Sequence, residues 1–90
     1  MATVGLNTLN PIDGVSVYPT ITSNEINVQS NQTYDKVQIE IIDLTGRTVV
    51  NTNADGLTNK VLDVQSLTNG SYVVRVTADG RNGLYRFMKK

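Results

Sequence analysis

The 90-residue chain contains no cysteine, no histidine and no tryptophan. Without cysteine it can form neither a disulfide bond nor a zinc–thiolate site. Cysteine usage therefore does not indicate whether the compartment is oxidising or reducing. Without histidine it lacks the commonest general base and the commonest metal ligand. Serine or threonine nucleophiles would therefore have no usual proton acceptor. These absences predict a protein that is not an enzyme and that uses no metal and no cofactor.

Long apolar runs are also scarce. Apolar residues make up 39% of the chain, but no unbroken run of aliphatic residues is longer than a pair such as Val73-Val74. The sequence therefore predicts no membrane-spanning helix. The first residues lack the basic start and apolar block of an export leader. We expect any such leader to lie upstream in a longer precursor, of which this chain is a fragment.

Basic residues are scarce until the last part of the chain. The formal net charge is zero, from eight basic and eight acidic residues. Residues 1–74 hold three basic against seven acidic residues, a balance of −4, and residues 75–90 hold five against one, a balance of +4. A basic end on an acidic body could orient a charged partner. Charged strand ends also serve solubility alone, and this alternative stays open.

Turn signals, by contrast, are abundant and regularly spaced. Five of the seven glycines follow Asp or Asn, and such pairs favour tight hairpin turns. These pairs are Asp13-Gly14, Asp55-Gly56, Asn69-Gly70, Asp79-Gly80 and Asn82-Gly83. Turn signals recur about every ten residues, which is the spacing typical of an all-β sandwich or barrel.

Between the turns, apolar and polar residues alternate as they do in half-buried strands. In KVQIEIID, for example, Val37, Ile39 and Ile41 share one face, and in LYRFMKK the rings of Tyr85 and Phe87 share another. No stretch shows a helical period. The pattern predicts seven strands near residues 15–18, 24–30, 36–43, 47–52, 60–64, 71–79 and 84–89.

Seven short antiparallel strands predict two sheets packed face to face, because a single flat sheet would leave the inward side chains uncovered. We therefore predict an immunoglobulin-like antiparallel β-sandwich over residues 15–90. The chain lacks the Cys–Trp–Cys core of antibody domains, so we expect its core to consist of Ile, Val and Leu. Residues 1–14 are rich in Asn, Thr, Gly and Pro and are predicted to form a flexible linker.

The segment LTNGSY predicts a sandwich corner. In such folds a tyrosine near the start of a strand often bonds back to an upstream backbone group. Here Leu67 would be buried, Asn69-Gly70 would turn, and Tyr72 would enter the strand with its ring in the core and its hydroxyl at the rim. An ordinary core tyrosine is the alternative, and both interpretations make Tyr72 structural.

Other chemistry has weak support in the sequence. The eight acidic residues lie mostly in turns or at outward strand positions, which is typical of solvated surface charge rather than of a catalytic carboxylate pair. They form no Asp-rich calcium loop, and the glycines of DGRNG are not followed by the lysine of a phosphate-binding loop. Tyr85, Arg86 and Phe87 give a slight hint of nucleic-acid binding, which the neutral total charge weakens.

Four short motifs follow one another in an informative order: Tyr18-Pro19, then Asp43 with Gly46-Arg47, then LTNGSY, and finally Lys89-Lys90. This succession resembles the C-terminal sorting domain of type IX secretion cargo, the type A signal of Bacteroidetes. The family pattern is Tyr-Pro-Asn-Pro, Asp-x-x-Gly-Arg, Leu-x-x-Gly-x-Tyr and a basic end. The resemblance covers residues 15–90. The chain departs from the pattern where Thr20-Ile21 replaces the usual Asn-Pro.

The resemblance implies a delivery label at the tail of a larger cargo protein. The label would fold in the periplasm and be recognised by the outer-membrane type IX translocon. A sortase-like peptidase would then remove it by cutting in the linker, and the cargo would be anchored at the cell surface or secreted. The expected partners are therefore the translocon, the peptidase and a covalently attached N-terminal cargo domain. Nucleic-acid binding and direct membrane insertion are not expected, and the domain is expected to be a monomer or a weak edge-paired dimer.

The resemblance also implies roles for particular residues. Translocon recognition is assigned to Gly46, Arg47, Gly70, Arg86, Lys89 and Lys90, with Tyr72 and Leu67 as the structural corner. The cleavage linker would contain Gly5, Asn10, Pro11 and Gly14. A purely structural role in turns remains open for Gly46, Arg47 and Gly70. The last strand is further expected to offer a free edge to which a partner strand could pair.

Two other classes of function remain open. One is a carbohydrate- or protein-binding β-sandwich that serves as an accessory module of a secreted enzyme. A carbohydrate binder normally presents a flat row of exposed aromatic rings, and this chain has only four tyrosines and one phenylalanine. The other class is an autonomous adhesive subunit, which should assemble through an exposed strand.

Overall fold

The computed structural model describes residues 8–10, 12 and 14–90. Every regular element in this part of the chain is a strand. In chain order the strands are β1 (Thr8–Asn10), β2 (Val15–Tyr18), β3 (Ile21–Thr22), β4 (Glu25–Ser30), β5 (Val37–Ile42), β6 (Thr48–Asn53), β7 (Asn59–Asp63), β8 (Gly70–Ala78) and β9 (Arg81–Lys89). All seven predicted strands are present with bounds shifted by three residues or fewer, and the all-β prediction is confirmed. The short strands β1 and β3 were not predicted.

The strands form two sheets. The larger sheet has the order β1-β9-β8-β5-β6, with β3 also paired to β9, and the smaller sheet has the order β2-β4-β7. All pairs are antiparallel except β3 with β9, which are parallel. The prediction of an immunoglobulin-like sandwich is confirmed, and the parallel pair is the one departure from a purely antiparallel arrangement.

Strand β9 is not an edge strand. Its outer side pairs with β1 at Leu84 and Tyr85 and with β3 at Met88 and Lys89, while its other side pairs with β8 along its whole length. The prediction that the last strand offers a free edge is therefore wrong. Two strands of three and two residues cover it, and such short segments carry no alternation that the sequence could reveal.

The core lies between the sheets and follows the predicted alternation. Ile26 and Val28 of β4 are fully buried, as are Ile39 and Ile41 of β5. Aromatic rings also belong to the core, so the expectation of a core made of Ile, Val and Leu is too narrow. The rings of Tyr72 and Phe87 stack with centroids 5.4 Å apart and planes 17° from parallel. Four of the five aromatic side chains of the chain are buried: Tyr34, Tyr72, Tyr85 and Phe87.

The segment that enters β2 is held down by Tyr85. The Tyr85 hydroxyl accepts a hydrogen bond from the backbone amide of Ile12 (2.9 Å) and donates one to the carbonyl of Val15 (3.1 Å). Ile12 is buried and lies close to Gly83. A Cβ on Gly83 would come within 2.6 Å of the Cγ1 of Ile12. The backbone is therefore anchored ahead of β2, within the range predicted as linker.

The predicted cleavage residues differ in their surroundings. Asn10 lies on β1, which pairs with β9. The Gly14 carbonyl accepts a hydrogen bond from the amide of Asn31 (2.9 Å), and a Cβ on Gly14 would clash with the Asn31 side chain. Gly5 and Pro11 lie outside the described residues. The boundary at residue 14 stays a prediction, but pairing extends at least to Thr8.

The β8–β9 turn holds the β4–β5 loop. Asp79 and Gly80 both have positive φ, 49° and 85°, as the two central residues of the favoured hairpin turn require. The Asp79 carboxylate accepts hydrogen bonds from the backbone amides of Lys36 (2.8 Å) and Asp35 (3.1 Å). These bonds, with that of Lys36 the strongest, lower the pKa of Asp79 below its ordinary value.

Candidate recognition surface

The four motifs, which are distant in sequence, lie together at one end of the sandwich. In the larger sheet, Gly70 is opposite Lys89, and Met88 is opposite Ile21. The β7–β8 loop carries the chain at this end from the smaller sheet to the larger one. We call this the motif end and define it as residues 18–24, 43–47, 64–71 and 86–90. It contains all six predicted recognition residues.

The β5–β6 turn at the motif end is organised by Asp43. Its Oδ1 accepts hydrogen bonds from the backbone amides of Thr45 (2.9 Å) and Arg47 (3.0 Å) and from the Thr45 hydroxyl. The amide of Gly46 donates to the Asp43 carbonyl (3.0 Å), and Gly46 has a φ of 90° that favours glycine. Gly46 thus meets a requirement of the turn itself.

Arg47 is the exposed cation of this turn. Its Nε lies 3.5 Å from the Asp43 carboxylate, and its side chain is 78% exposed. An ion pair this open to solvent contributes little to stability. The guanidinium therefore remains available to a partner.

Asp43 and Asp79, whose carboxylates accept hydrogen bonds from backbone amides, should make the stability of the domain sensitive to acid. The pKa of Asp43 is lowered mainly by the Thr45 hydroxyl and then by the Arg47 amide, and that of Asp79 is lowered by the β4–β5 loop amides. A lowered folded-state pKa stabilises the fold above the ordinary value of 3.8, and this contribution is lost as pH falls through the folded-state value. We expect the free energy of unfolding, measured by urea titration, to decrease from neutral pH to about pH 2.

The variant Asp79→Asn should be less stable at neutral pH and should lose less stability on acidification. Asparagine tolerates the positive φ of this position. The difference in stability between the variant and the unsubstituted protein therefore comes from the loss of the negative charge. Glu25→Gln, at an exposed position on β4, is the matched control and should follow the unsubstituted protein. An unchanged acid profile for Asp79→Asn would contradict the role given to this carboxylate.

The β7–β8 loop forms the corner at Tyr72. The Tyr72 hydroxyl donates a hydrogen bond to the carbonyl of Thr68, which is the backward bond that the corner interpretation requires. The Leu67 amide donates to the carbonyl of Val64 (3.1 Å), and Leu67 packs against the core. Gly70 begins β8 with a φ of 150° and with open space where a Cβ would stand.

The basic end of the chain is divided between the inside and the outside of the sandwich. Arg86 and Lys90 are exposed, and the Lys90 amide donates to the carbonyl of Thr22 (2.9 Å). Lys89, however, is only 7% exposed. The expectation that Lys89 presents its side chain to a partner is therefore wrong. Alternation along β9 continues to its last residue, and Lys89 takes the inward side with Phe87, opposite a glycine that leaves room for its aliphatic stem.

Exposed apolar side chains gather at the same end. Of the five large apolar side chains that are exposed in the described residues, four belong to the motif end: Tyr18, Ile21, Leu44 and Met88. Leu44 is the most exposed, at 74%. Sequence reasoning missed this group. The available signal was a leucine inside a four-residue turn and a methionine at an outward strand position.

Two clefts open among these side chains. One, with a volume of about 400 Å³, lies between the β5–β6 turn and the β7–β8 loop and is lined by Leu44, Arg47, Val49, Leu67 and Tyr72, among others. The other, of about 270 Å³, is lined by Thr20, Ile21, Ser71, Arg86, Phe87 and Met88. Ser71 lines both clefts, so they adjoin across the start of β8.

The rest of the surface offers little for the alternative functions. Among the described residues, which include all five aromatic side chains, only Tyr18 has an exposed ring, so this part of the chain has no flat row of rings for a sugar. The Tyr18 hydroxyl donates a hydrogen bond to Gln29 (3.0 Å). Tyr85 and Phe87 are buried, and the hint that they stack with nucleic-acid bases is wrong. Within the described residues no group of three or more metal-ligating side chains occurs. No helix there is long and apolar enough to cross a membrane.

The architecture defines the class of fold. The chain is similar to a DUF3244 family protein from Bacteroides vulgatus that is described as having an immunoglobulin-like β-sandwich fold. The TM-score is 0.76 at 12% identity, with 86% of this chain and 84% of the other covered. A likeness at this identity establishes the fold alone. A search of curated proteins found no match.

The family model for the secretion system C-terminal sorting domain matches residues 16–90. The chain therefore belongs to this family, and the assignment to type IX sorting domains made from the motifs is confirmed. The family is one of sorting signals rather than of enzymes. Membership implies that the domain interacts with secretion machinery and is attached to a cargo that reaches the cell surface or is secreted.

Proposed function

We propose that this domain carries a covalently attached N-terminal cargo from the periplasm through the outer-membrane type IX translocon and performs no reaction itself. The observation that carries the proposal is the gathering of the motifs of the sorting family at one end of the two-sheet sandwich. A label of this kind needs a stable shape with one distinctive surface, because recognition must be independent of the cargo. The two-sheet core provides the shape and the motif end provides the surface.

Recognition is assigned to exposed groups of the motif end. Arg47, Arg86 and Lys90 present charges that would speed encounter and fix the orientation of the docked domain. Gly46 and Gly70 contribute through the turns that place these groups. Lys89 contributes through its backbone pairing with β3 and β8, since its side chain is buried.

Removal of the label is assigned to a sortase-like peptidase that cuts N-terminal to Thr8 and leaves the cargo anchored at the surface. A protease binds its substrate as an extended, unpaired segment. The pairing of β1 with β9 and the bonds of the Tyr85 hydroxyl to Ile12 and Val15 disfavour cutting from Thr8 onward. N-terminal sequencing of the released domain in a type IX-competent host tests this position. A new terminus at any of residues 9–14 would contradict it.

The test of the function is export of a reporter. Residues 1–90 are fused behind an export leader and a fluorescent protein in a type IX-competent host. We expect surface or extracellular fluorescence that is lost in a strain without the translocon. Equal delivery in both strains would refute the proposal, and so would retention in both.

Charge substitutions refine this test. The double variant Arg86→Glu with Lys90→Glu should fold normally and lower the exported fraction, because both side chains are exposed. Lys89→Met preserves the buried stem and is the matched control, which we expect to be exported normally. Deleting residues 88–90 would be a poorer test, since it removes the bonds from Met88 and Lys90 to the carbonyls of Thr20 and Thr22.

A further inference from the structure

The apolar side chains of the motif end are more exposed than the needs of folding explain. Single exposed apolar residues are common on protein surfaces, but a contiguous group usually marks an interaction site. Leu44, Ile21 and Met88 are 74%, 56% and 41% exposed. Leu44 lines one cleft, and Ile21 and Met88 line the other. Because the two clefts share Ser71, these side chains belong to one surface.

Cations border this surface at both clefts. Arg47 lines the cleft that holds Leu44, and Arg86 lines the cleft that holds Ile21 and Met88. Asp43, the acidic side chain that lines the first cleft, has its carboxylate engaged by the Thr45 hydroxyl and by the Thr45 and Arg47 amides. Asp43 nevertheless keeps its negative charge and lies 3.5 Å from the Nε of Arg47. It therefore offsets Arg47 in the first cleft, and Arg86 gives the second cleft a positive charge that no acidic lining residue offsets.

We propose that the motif end docks a polypeptide segment of the secretion machinery in which aliphatic side chains lie next to carboxylates. The inference rests on the proposed function and adds the chemistry of the partner. The aliphatic side chains would enter the two clefts beside Leu44 and Met88, where buried apolar contacts supply most of the affinity. The carboxylates would pair with Arg86 and with the exposed guanidinium of Arg47, and this charge match disfavours basic partners.

Site-specific photo-crosslinking in the reporter host tests the proposal. A photoreactive amino acid is placed at position 44, at position 88, or at position 61, where Val61 is 47% exposed on β7, outside the motif end. We expect crosslinks to one translocon protein from positions 44 and 88 and none from position 61. The crosslinked peptide of the partner should contain aliphatic residues beside Asp or Glu.

Export of substituted fusions gives an independent measurement. We expect Leu44→Asp to lower the exported fraction by about tenfold or more, as the loss of one strong apolar contact would, and Val61→Asp to leave it unchanged. Circular dichroism of the isolated domains should show both variants folded. Crosslinks to lipid or to a second copy of the chain would overturn the proposal, as would a basic partner segment or normal export of Leu44→Asp.

The outcomes separate the two levels of inference. If the unsubstituted fusion is exported but crosslinks equally from all three positions, the docking surface is wrong and the sorting function stands. If the unsubstituted fusion is not exported, the proposed function and the docking surface fall together.

Discussion

Replacing Phe87 by alanine is expected to destabilise the domain by about 3–5 kcal/mol. The Phe87 ring is 1% exposed and stacks on Tyr72 between the sheets, so truncation removes a large buried surface and opens a cavity. A domain of this size has a free energy of unfolding of about 5–15 kcal/mol. The substitution would therefore remove a large share of the total. Urea unfolding followed by circular dichroism measures the change.

The neighbouring residue provides the control. Met88 is also apolar and lies on the same strand, but it faces outward and is 41% exposed. Met88→Ala should cost less than about 1 kcal/mol, as is usual for surface positions. Similar losses for the two variants would show that β9 does not alternate as described. The pair also separates folding from docking. Met88→Ala should lower the exported fraction while leaving the free energy of unfolding nearly unchanged.

Replacing Tyr85 by phenylalanine is expected to cost about 1–3 kcal/mol, because it leaves the buried amide of Ile12 without its partner. The hydroxyl also bonds to the carbonyl of Val15, so its loss frees the segment ahead of β2. We therefore expect limited proteolysis between residues 8 and 14 to become faster than in the unsubstituted protein. Tyr18→Phe removes an exposed hydroxyl that bonds to Gln29 and is the matched control, with little change in either measurement.

Alkaline pH gives a second signature of Tyr85. Burial raises the pKa of Tyr85 above its ordinary value of 10.0, so the unfolded chain releases this proton before the folded one does. Stability should then fall as pH rises above the ordinary value, and Tyr85→Phe should remove part of that fall. If Tyr85→Phe changes neither the rate of proteolysis nor the fall in stability at alkaline pH, the Tyr85 hydroxyl does not hold the segment ahead of β2.

The sequence predicted most of the fold because the alternation of apolar and polar residues within a strand can be recognised locally. In β5 and β8, alternating β-branched residues specify which side chains face the core, and in the Asp79-Gly80 turn the residue types specify the positive φ angles. The strands β1 and β3, of three and two residues, are too short to show such an alternation. They pair with the outer side of β9, and these pairings join residues as far apart as Thr8 and Tyr85, which no local pattern shows.

The recognition residues divide in the same way. The turn position of Gly46 and the structural corner at Tyr72 were predicted from local motifs, because a turn and a corner depend on residues within a few positions of one another; the recognition role of Gly46 stays a prediction. Lys89 was misjudged, since a lysine next to the chain end is usually solvated. Its burial follows from the alternation along β9, which places it on the same side as Phe87, and from its position opposite Gly70. Only the second of these is absent from the sequence pattern.

By itself, the order of residues determined an all-strand sandwich, the position of its turns and its membership of a sorting family, because periodicity and turn chemistry act over short distances. Only the tertiary structure decided that the motifs share one end, that Leu44, Ile21 and Met88 are exposed there in clefts that Arg47 or Arg86 also lines, and that Tyr85 anchors the entering chain. These facts depend on which strands become neighbours. Strand pairing joins residues as far apart as Ile12 and Tyr85, and no local pattern records that choice.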